Sequence, residues 1–203
     1  MKSPIPLSLL IILLFAGCAT TSDQPPTGRF SREAFQYAFS FPDRFFFIPK
    51  GSVTDFEKDQ PGLGYSVGYS DIGVTLTFYV YDMGETNIPE GTDSGIVQDA
   101  FMNAAYEILG AASAGYYELV SIEDGIVIDI GDYPFWFTQA DLIMEGRHKD
   151  SYIYVTGFNG KILKLRMTID HEAYEGSDTL RNDIETAIHD EILIPNQAAV
   201  TNP

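Results

Sequence analysis

Ser66 lies at the centre of a pattern that serine hydrolases use to present their nucleophile. The run Gly64-Tyr65-Ser66-Val67-Gly68 fits Gly-x-Ser-x-Gly, and His171 follows later in the chain, as this class of triad requires. The pattern needs a strand before the serine and a helix after it. Here Gln60-Pro61-Gly62 precedes it and the strand-like Gly68-Tyr69-Ser70 follows it. The context favours a strand flanked by glycines over a nucleophile-presenting turn. An envelope serine hydrolase that uses Ser66 remains as the alternative function to a non-enzymatic protein.

Acidic residues and histidines are the candidates for metal chemistry. Asp55, Glu57 and Asp59 alternate in a loop and offer oxygen ligands to Ca²⁺, but the glycine and terminal glutamate of an EF-hand loop are missing. No phosphate-binding loop or dinucleotide fingerprint occurs, and the histidines lack metal-ligand spacing: His148, His171 and His189. We therefore predict a solvated acidic loop, no metal and no cofactor, with a small-molecule or cation carrier as a further alternative.

Two cations stand out against an acidic background. Lys164 and Arg166 belong to a group of three basic residues between positions 161 and 166, in a chain with 12 in all. Asn159-Gly160 suits a two-residue type I′ turn, and that register places Val155 opposite Lys164 and Ile153 opposite Arg166. The cations would either pair with carboxylates on a neighbouring strand or helix, or form a basic patch that docks an acidic partner.

Tyrosines alternate with small hydroxyl residues on two predicted strands. Tyr79 and Tyr81 share a face with threonines, and so do Tyr152 and Tyr154 with Thr156. Because tyrosine combines apolar area with a polar tip, it is enriched at interfaces. These four tyrosines, with Lys164 and Arg166, are the candidate partner-binding residues. The alternative is a tyrosine-rich layer packed under helices.

Strand signals dominate the segments that carry these residues. Alternating apolar residues predict three separate strands, the first of which ends before Pro42. Turn residues predict two hairpins, centred on Asp124-Gly125 and Asn159-Gly160. The predicted ranges are Tyr37–Phe41, Val74–Tyr81, Glu118–Asp129, Phe135–Met144 and Ser151–Thr168.

Two segments follow the helical period instead. Val97, Phe101, Ala104 and Ile108 form one stripe, with Ser94 as the predicted N-cap and Gly110 near the stop. A second stripe comprises Leu180, Ile184, Ile188 and Ile192, with Ser177 as cap, Asp178 complementing the helix dipole and Pro195 closing the element. The order strands, helix, strands, helix predicts an α+β fold, an antiparallel sheet covered by two amphipathic helices.

The N-terminus resembles the signal of a bacterial lipoprotein. Lys2 precedes the short apolar run Leu7 to Phe15, and small Ala16 and Gly17 precede Cys18, the only cysteine. The resemblance to a lipobox implies removal of residues 1–17, a diacylglyceryl thioether on Cys18 and an acylated new N-terminus. It also implies outer-membrane sorting, because Ala19 rather than Asp follows the cysteine. The domain would face the periplasm.

Composition limits the partners of the mature chain. Loss of Lys2 changes the formal charge from −17 to −18 and leaves 11 basic against 29 acidic residues. Such a chain would be repelled by nucleic acid, so DNA and RNA binding is excluded. With Cys18 lipidated, no intramolecular disulfide is available. We predict a linker over residues 18–28, one globular domain over 29–195 and a tail over 196–203.

Three motifs are similar to the PsbP-like family. They are Phe39-Ser40-Phe41-Pro42, the tyrosine-rich strand that leads into Gly160-Lys161-Ile162-Leu163-Lys164-Leu165-Arg166, and the final amphipathic helix. Family members usually have Trp where this chain has Phe45. The resemblance implies a PsbP-like sandwich over residues 36–194 and an adaptor or accessory role without shared catalytic machinery. The predicted function is a non-enzymatic, membrane-anchored periplasmic module that binds an envelope protein or assembly.

Overall fold

The computed structural model of the chain describes residues 39–174 and 177–200. The predicted signal peptide, lipidated Cys18 and linker therefore lie outside the described residues. Within those ranges, no helix is long and apolar enough to cross a membrane.

In the described part of the chain, nine strands form one antiparallel sheet. The spatial order is β1-β2-β3-β4-β9-β8-β7-β5, and β6 also pairs with β7. Each pair of neighbours is antiparallel. The strands are β1 Arg44–Phe45, β2 Ile48–Asp55, β3 Tyr65–Asp71, β4 Val74–Tyr81, β5 Glu118–Ile122, β6 Ile126–Ile130, β7 Tyr133–Met144, β8 Arg147–Phe158 and β9 Lys161–Asp170.

Helices cover both faces of this sheet. Helix α1, Gly95–Ser113, lies between β4 and β5 in the chain and buries the predicted stripe of Val97, Phe101, Ala104 and Ile108. The C-terminal cover consists of α2, Ser177–Ala187, a π-helical segment, Ile188–Leu193, and α3, Ile194–Val200. Its predicted stripe is buried as well. The prediction of an α+β fold, with an antiparallel sheet covered by two helical elements, is confirmed at this level of detail. The sheet makes up most of the fold.

Strand alternation gives the sheet two separate cores. On β9, Leu163, Leu165 and Met167 belong to the core beneath the C-terminal helices, whereas Ile162 belongs to the core beneath α1. Because successive side chains of a strand point to opposite faces, one strand supplies both cores. We call the two sides the α1 face and the α2 face.

The predicted hairpin around Asn159-Gly160 is confirmed. Asn159 and Gly160 have φ values of 52° and 70°, and Phe158 pairs with Lys161 across the turn. A two-residue type I′ turn requires positive φ at both positions. The register places Val155 opposite Lys164 and Ile153 opposite Arg166, as predicted.

The predicted hairpin over Glu118–Asp129 is wrong. β5 and β6 do not pair with each other; both pair with the same edge of β7, with Ile122 opposite Ala140 and Ile126 opposite Phe137. Asp124-Gly125 lies in the short interruption between them. A Cβ on Gly125 would lie 2.4 Å from Cε1 of Phe101. The glycine therefore allows α1 to pack closely, and it does not signal a hairpin turn.

The ends of both predicted helices are also corrected. Helix α1 continues past Gly110 to Ser113, and Gly115, with φ of 78°, follows its end. At the C-terminus, Pro195 does not close the helix: the chain is helical without a break from Ser177 to Val200, and Pro195 is the second residue of α3, which follows directly after the π-helical segment Ile188–Leu193. A π-helical irregularity is one way in which a helix continues past a local defect in its hydrogen bonds.

The predicted tail boundary at residue 196 consequently falls inside a helix. Asn196 is buried, and its amide donates to the carbonyl oxygens of Ile192, at 2.6 Å, and Ser40, at 3.1 Å. Ser40 lies in the predicted strand Tyr37–Phe41. Residues 39–41 are not a strand, and residues 37 and 38 lie outside the described part. The contact with Asn196 accounts for this difference, because it satisfies backbone groups that a strand would pair in a sheet.

Candidate functional site

A cavity of about 310 Å³ opens on the α1 face of the sheet. Helix α1 lies over β8, β7 and β5, so it covers only part of this face. The cavity occupies the region beside the helix, where β2, β3, β4 and β9 provide the floor. We call it the Arg166 cavity, after the one cation in its wall.

Hydroxyl groups dominate the floor of the Arg166 cavity. The strand register aligns them in rows: Ser70, Thr75 and Thr168 form one row, and Thr77 and Arg166 lie side by side in the next. β2 adds Ser52 and Thr54. Serine and threonine hydroxyls both donate and accept hydrogen bonds. The floor can therefore bind polar groups of either kind.

Arg166 has no carboxylate partner among the residues that the structure describes. The charged residues lining the cavity are Arg166 and Glu107, and Glu107 lies 3.4 Å from Lys164 Nζ instead. Burial raises the pKa of the Tyr117 hydroxyl, and the nearby Arg166 charge offsets part of that rise. Arg166 therefore presents an uncompensated positive charge to the cavity.

Lys164 occupies a different environment, although it is only two residues away. It is buried, its ammonium lies 4.6 Å from the centre of the Tyr79 ring and 5.7 Å from that of Tyr81, and it pairs with Glu107. Burial lowers the pKa of Lys164, while Glu107 opposes this effect. The prediction of pairing with a carboxylate on a neighbouring helix thus holds for Lys164 alone.

Ser66 contributes an open hydroxyl to the cavity. The residue is 6% exposed and lines the cavity. Its side chain makes no hydrogen bond to the residues that the structure describes, and its oxygen is open to the cavity rather than fully buried. A ligand atom can therefore donate to it or accept from it in place of water.

Tyr152 and Tyr154 do not join this site. They lie on the α2 face and have no exposed surface, so they cannot contact a partner of the folded domain. The Tyr154 hydroxyl donates to Glu185 at 2.8 Å, and burial raises the pKa of Tyr152 to about 12. The prediction that all four tyrosines offer a binding surface is corrected here: Tyr79 lines the cavity, and Tyr81 is 7% exposed beside it.

Ser66 and His171 are not brought together. Ser66 lies inside β3, which a second strand follows rather than a helix, and it aligns across the sheet with Tyr79 and Lys164. His171 lies seven residues beyond Lys164. At about 3.3 Å per residue, this is about 23 Å along the strand. The geometry supplies no Ser-His pair.

The acidic loop uses two of the three carboxylates named above for its own backbone. Glu57 accepts hydrogen bonds from the amides of Gly62 and Gly64, at 2.9 and 3.0 Å, and Asp55 accepts one from the amide of Lys58 at 3.4 Å. In the described ranges, no group of three or more His, Cys, Asp or Glu side chains is suited to hold a metal ion.

Sequence reasoning missed one cluster of titratable side chains. His148 and His171 stack with ring centres 6.0 Å apart, and His171 Nε2 lies 2.7 Å from Asp150. The signal was available, because extending the register of the Asn159-Gly160 hairpin beyond Lys149 and Asp170 places the two histidines opposite each other.

The fold and the cavity together define an antiparallel sheet protein with an open cavity on its α1 face, where hydroxyl side chains and Arg166 are among the lining residues. No protein-family model matches the chain, and a comparison with curated protein sequences finds no match. A similar solved structure is the solution structure of cyanobacterial PsbP (CyanoP) from Synechocystis sp. PCC 6803. The two are 17% identical with a TM-score of 0.41, over 68% of this chain and 78% of that one.

Proposed function

We propose that the protein is a lipid-anchored lipoprotein whose domain is a non-enzymatic binding module in the periplasm. In this proposal Cys18 carries the lipid, the outer membrane holds the anchor, and the Arg166 cavity binds an anionic group of an envelope component. The observation that carries the binding role is the positive charge of Arg166, which faces the cavity without a carboxylate partner among the described residues.

Two features support a binding role over a purely structural one. An arginine in so acidic a protein could easily pair with a carboxylate, as Lys164 does with Glu107. The hydroxyl of Ser66, which opens into the same cavity and makes no hydrogen bond to the described residues, adds a second group that a ligand can bind. Uncompensated groups in a preformed cavity favour ligand binding over stability.

We further propose that the domain is a member of the PsbP-like family. The support is the motif Phe39-Ser40-Phe41-Pro42, whose two phenylalanines pack on the sheet. The ring of Phe39 lies 5.7 Å from that of Phe158, and the ring of Phe41 lies 5.3 Å from that of Phe78. The motif would thus close the α2-face core at one end.

The anchor is tested by Cys18→Ala. We expect the variant to lose lipidation and to accumulate as precursor or in a soluble fraction, because the chain offers no other thiol to the diacylglyceryl group. Radioactive palmitate labelling and membrane fractionation measure this. A variant that still labels and still fractionates with membranes would contradict the lipoprotein assignment.

The binding role is tested by crosslinked capture from the protein's own envelope. Arg166→Gln should reduce the recovery of captured components, whereas Arg44→Gln, which removes an exposed arginine from β1, should not. Equal capture by both variants would reject the Arg166 cavity as the binding site.

Two other functions are separated by simple measurements. Labelling of Ser66 in the folded protein by a fluorophosphonate probe would favour the envelope hydrolase. The volume of the cavity favours a small-molecule carrier as the second candidate, since small-molecule sites start at about 300 Å³. Release of a bound small molecule on denaturation of the purified protein would support the carrier.

A further inference from the structure

We infer that the Arg166 cavity binds a sugar acid, that is, a small polyhydroxylated ligand with one carboxylate. This inference rests on the proposed binding role and specifies its ligand. Three properties of the cavity lead to it: the sign of its charge, the chemistry of its floor and its size.

The charges around the cavity select a monoanion. Arg166 and Glu107 are the charged residues of the wall. The negative charge of Glu107 is neutralised by Lys164, whose Nζ lies 3.4 Å from Glu107 Oε2. Among the residues that the structure describes, these three charges sum to one positive charge. A guanidinium binds a carboxylate through two parallel hydrogen bonds, a geometry that a lysine cannot provide. A cation would be repelled at the same position, so the cation carrier is disfavoured.

The hydroxyl groups select a ligand that carries hydroxyls itself. Thr77 neighbours Arg166 across the β4–β9 pair, and Thr75 and Thr168 form the next row on the same face. The hydroxyl of Ser66 opens into the same cavity and makes no hydrogen bond to the described residues. Ligand hydroxyls can donate to and accept from all of these groups, whereas a purely apolar acid would leave them unsatisfied.

The remaining wall suits the carbon skeleton of such a ligand. Leu142 and Met144 of β7 and Ala111 of α1 supply apolar surface in addition to the polar floor, and Tyr117 adds a ring. A sugar ring has apolar C–H faces as well as polar edges, so both kinds of wall would be used. The volume of about 310 Å³ lies at the lower limit of small-molecule sites, which favours a ligand of one or two rings over a large one.

The inference is tested by calorimetric titration of the full-length lipidated protein in detergent. The probes are sodium D-glucuronate, D-glucose without the carboxylate, acetate without the hydroxyls, and the peptide Gly-Gly-Gly, all at one ionic strength. We expect glucuronate to bind at least tenfold more tightly than the other three. Arg166→Gln should weaken glucuronate binding roughly tenfold to a hundredfold, since it removes a charge-assisted pair, and Arg44→Gln should leave it unchanged.

Thr77→Val is the second variant, because it keeps side-chain shape and charge and removes only a hydroxyl. It should weaken glucuronate several-fold and leave any acetate binding unaltered, and its melting temperature shows whether it folds. Equal binding of acetate and glucuronate would overturn the sugar-acid inference and leave a general anion site, consistent with the proposed function. Binding of Gly-Gly-Gly without glucuronate would overturn it in favour of a peptide terminus. If no probe binds and Arg166→Gln leaves envelope capture unchanged, both proposals fail.

Discussion

The two faces of the sheet are built from the same strands but have opposite chemistry. The α2 face is filled with aromatic rings, such as Phe45, Tyr69 and Phe78, whose centres lie 5.2 to 6.0 Å apart. The α1 face is apolar only beneath its helix, and beside the helix it carries hydroxyls and Arg166. The difference shows that the α2 face is packed throughout, whereas the α1 face combines a core beneath its helix with an uncovered region, which is the part that the proposed binding would use.

The sharpest test of this division compares two adjacent residues of β4. Phe78 is 1% exposed on the α2 face, and Thr77 lies on the α1 face in the cavity floor. Phe78→Ala should lower the free energy of unfolding by about 3–5 kcal/mol, because it leaves a void among packed rings. Thr77→Ala should cost about 1 kcal/mol or less. Denaturant titration measures both, and equal losses would contradict the division.

A smaller effect is expected for the buried Lys164–Glu107 pair of the α1 face. Glu107→Gln leaves the buried ammonium of Lys164 without its carboxylate, and should cost about 2–3 kcal/mol. Lys164→Met removes the buried charge itself and should be nearly neutral, because Glu107 retains some access to water. Thermal unfolding of the two variants is the measurement. If Lys164→Met proves the more damaging, the ion pair contributes more than its desolvation costs.

The smallest predicted effect concerns alkaline pH and the α2 face. Burial raises the pKa of Tyr152 from 10.0 to about 12, so the folded state keeps its proton where the unfolded state loses it. The resulting stability is complete below pH 10 and is lost as the pH rises from 10 to about 12. Tyr152→Phe should therefore show a shallower loss of stability over that window than the unaltered protein. Identical slopes in urea titrations at pH 9, 10 and 11 would contradict this.

Periodicity was sufficient to predict much of the fold. The strand Val74–Tyr81, the hairpin of β8 and β9 with its register, and both buried helix stripes follow from local patterns. The pairing of both β5 and β6 with β7 does not follow from local patterns. Asp124-Gly125 suits a short interruption beside Phe101 as well as it suits a hairpin turn. The prediction that Pro195 ends the helix is wrong, because a proline that ends a helix looks the same in sequence as one that follows a π-helical segment within it.

The sequence identifies several residues of the candidate site but not the environment in which each one lies. The charge pattern of the sequence identifies Arg166 and Lys164 together, but it does not distinguish their environments. Lys164 pairs with Glu107 of α1, whereas Arg166 lies in the part of the sheet that α1 leaves uncovered. The tyrosines on β4 and β8 were grouped by composition, although the side that each strand presents to α1 depends on tertiary pairing. The sequence pattern around Ser66 indicates catalysis, whereas in the structure the residue contributes an open hydroxyl to the cavity floor.

The most direct test of the central claim is photo-crosslinking from the two faces in the native envelope. A photoreactive residue is placed at Thr75, exposed at the rim of the Arg166 cavity, or at Asp183, exposed on the outer side of α2. We predict ultraviolet-dependent adducts from Thr75 that disappear when Arg166→Gln is added, and no specific adduct from Asp183. Adducts from Asp183 alone, or Thr75 adducts that persist without Arg166, would contradict the account.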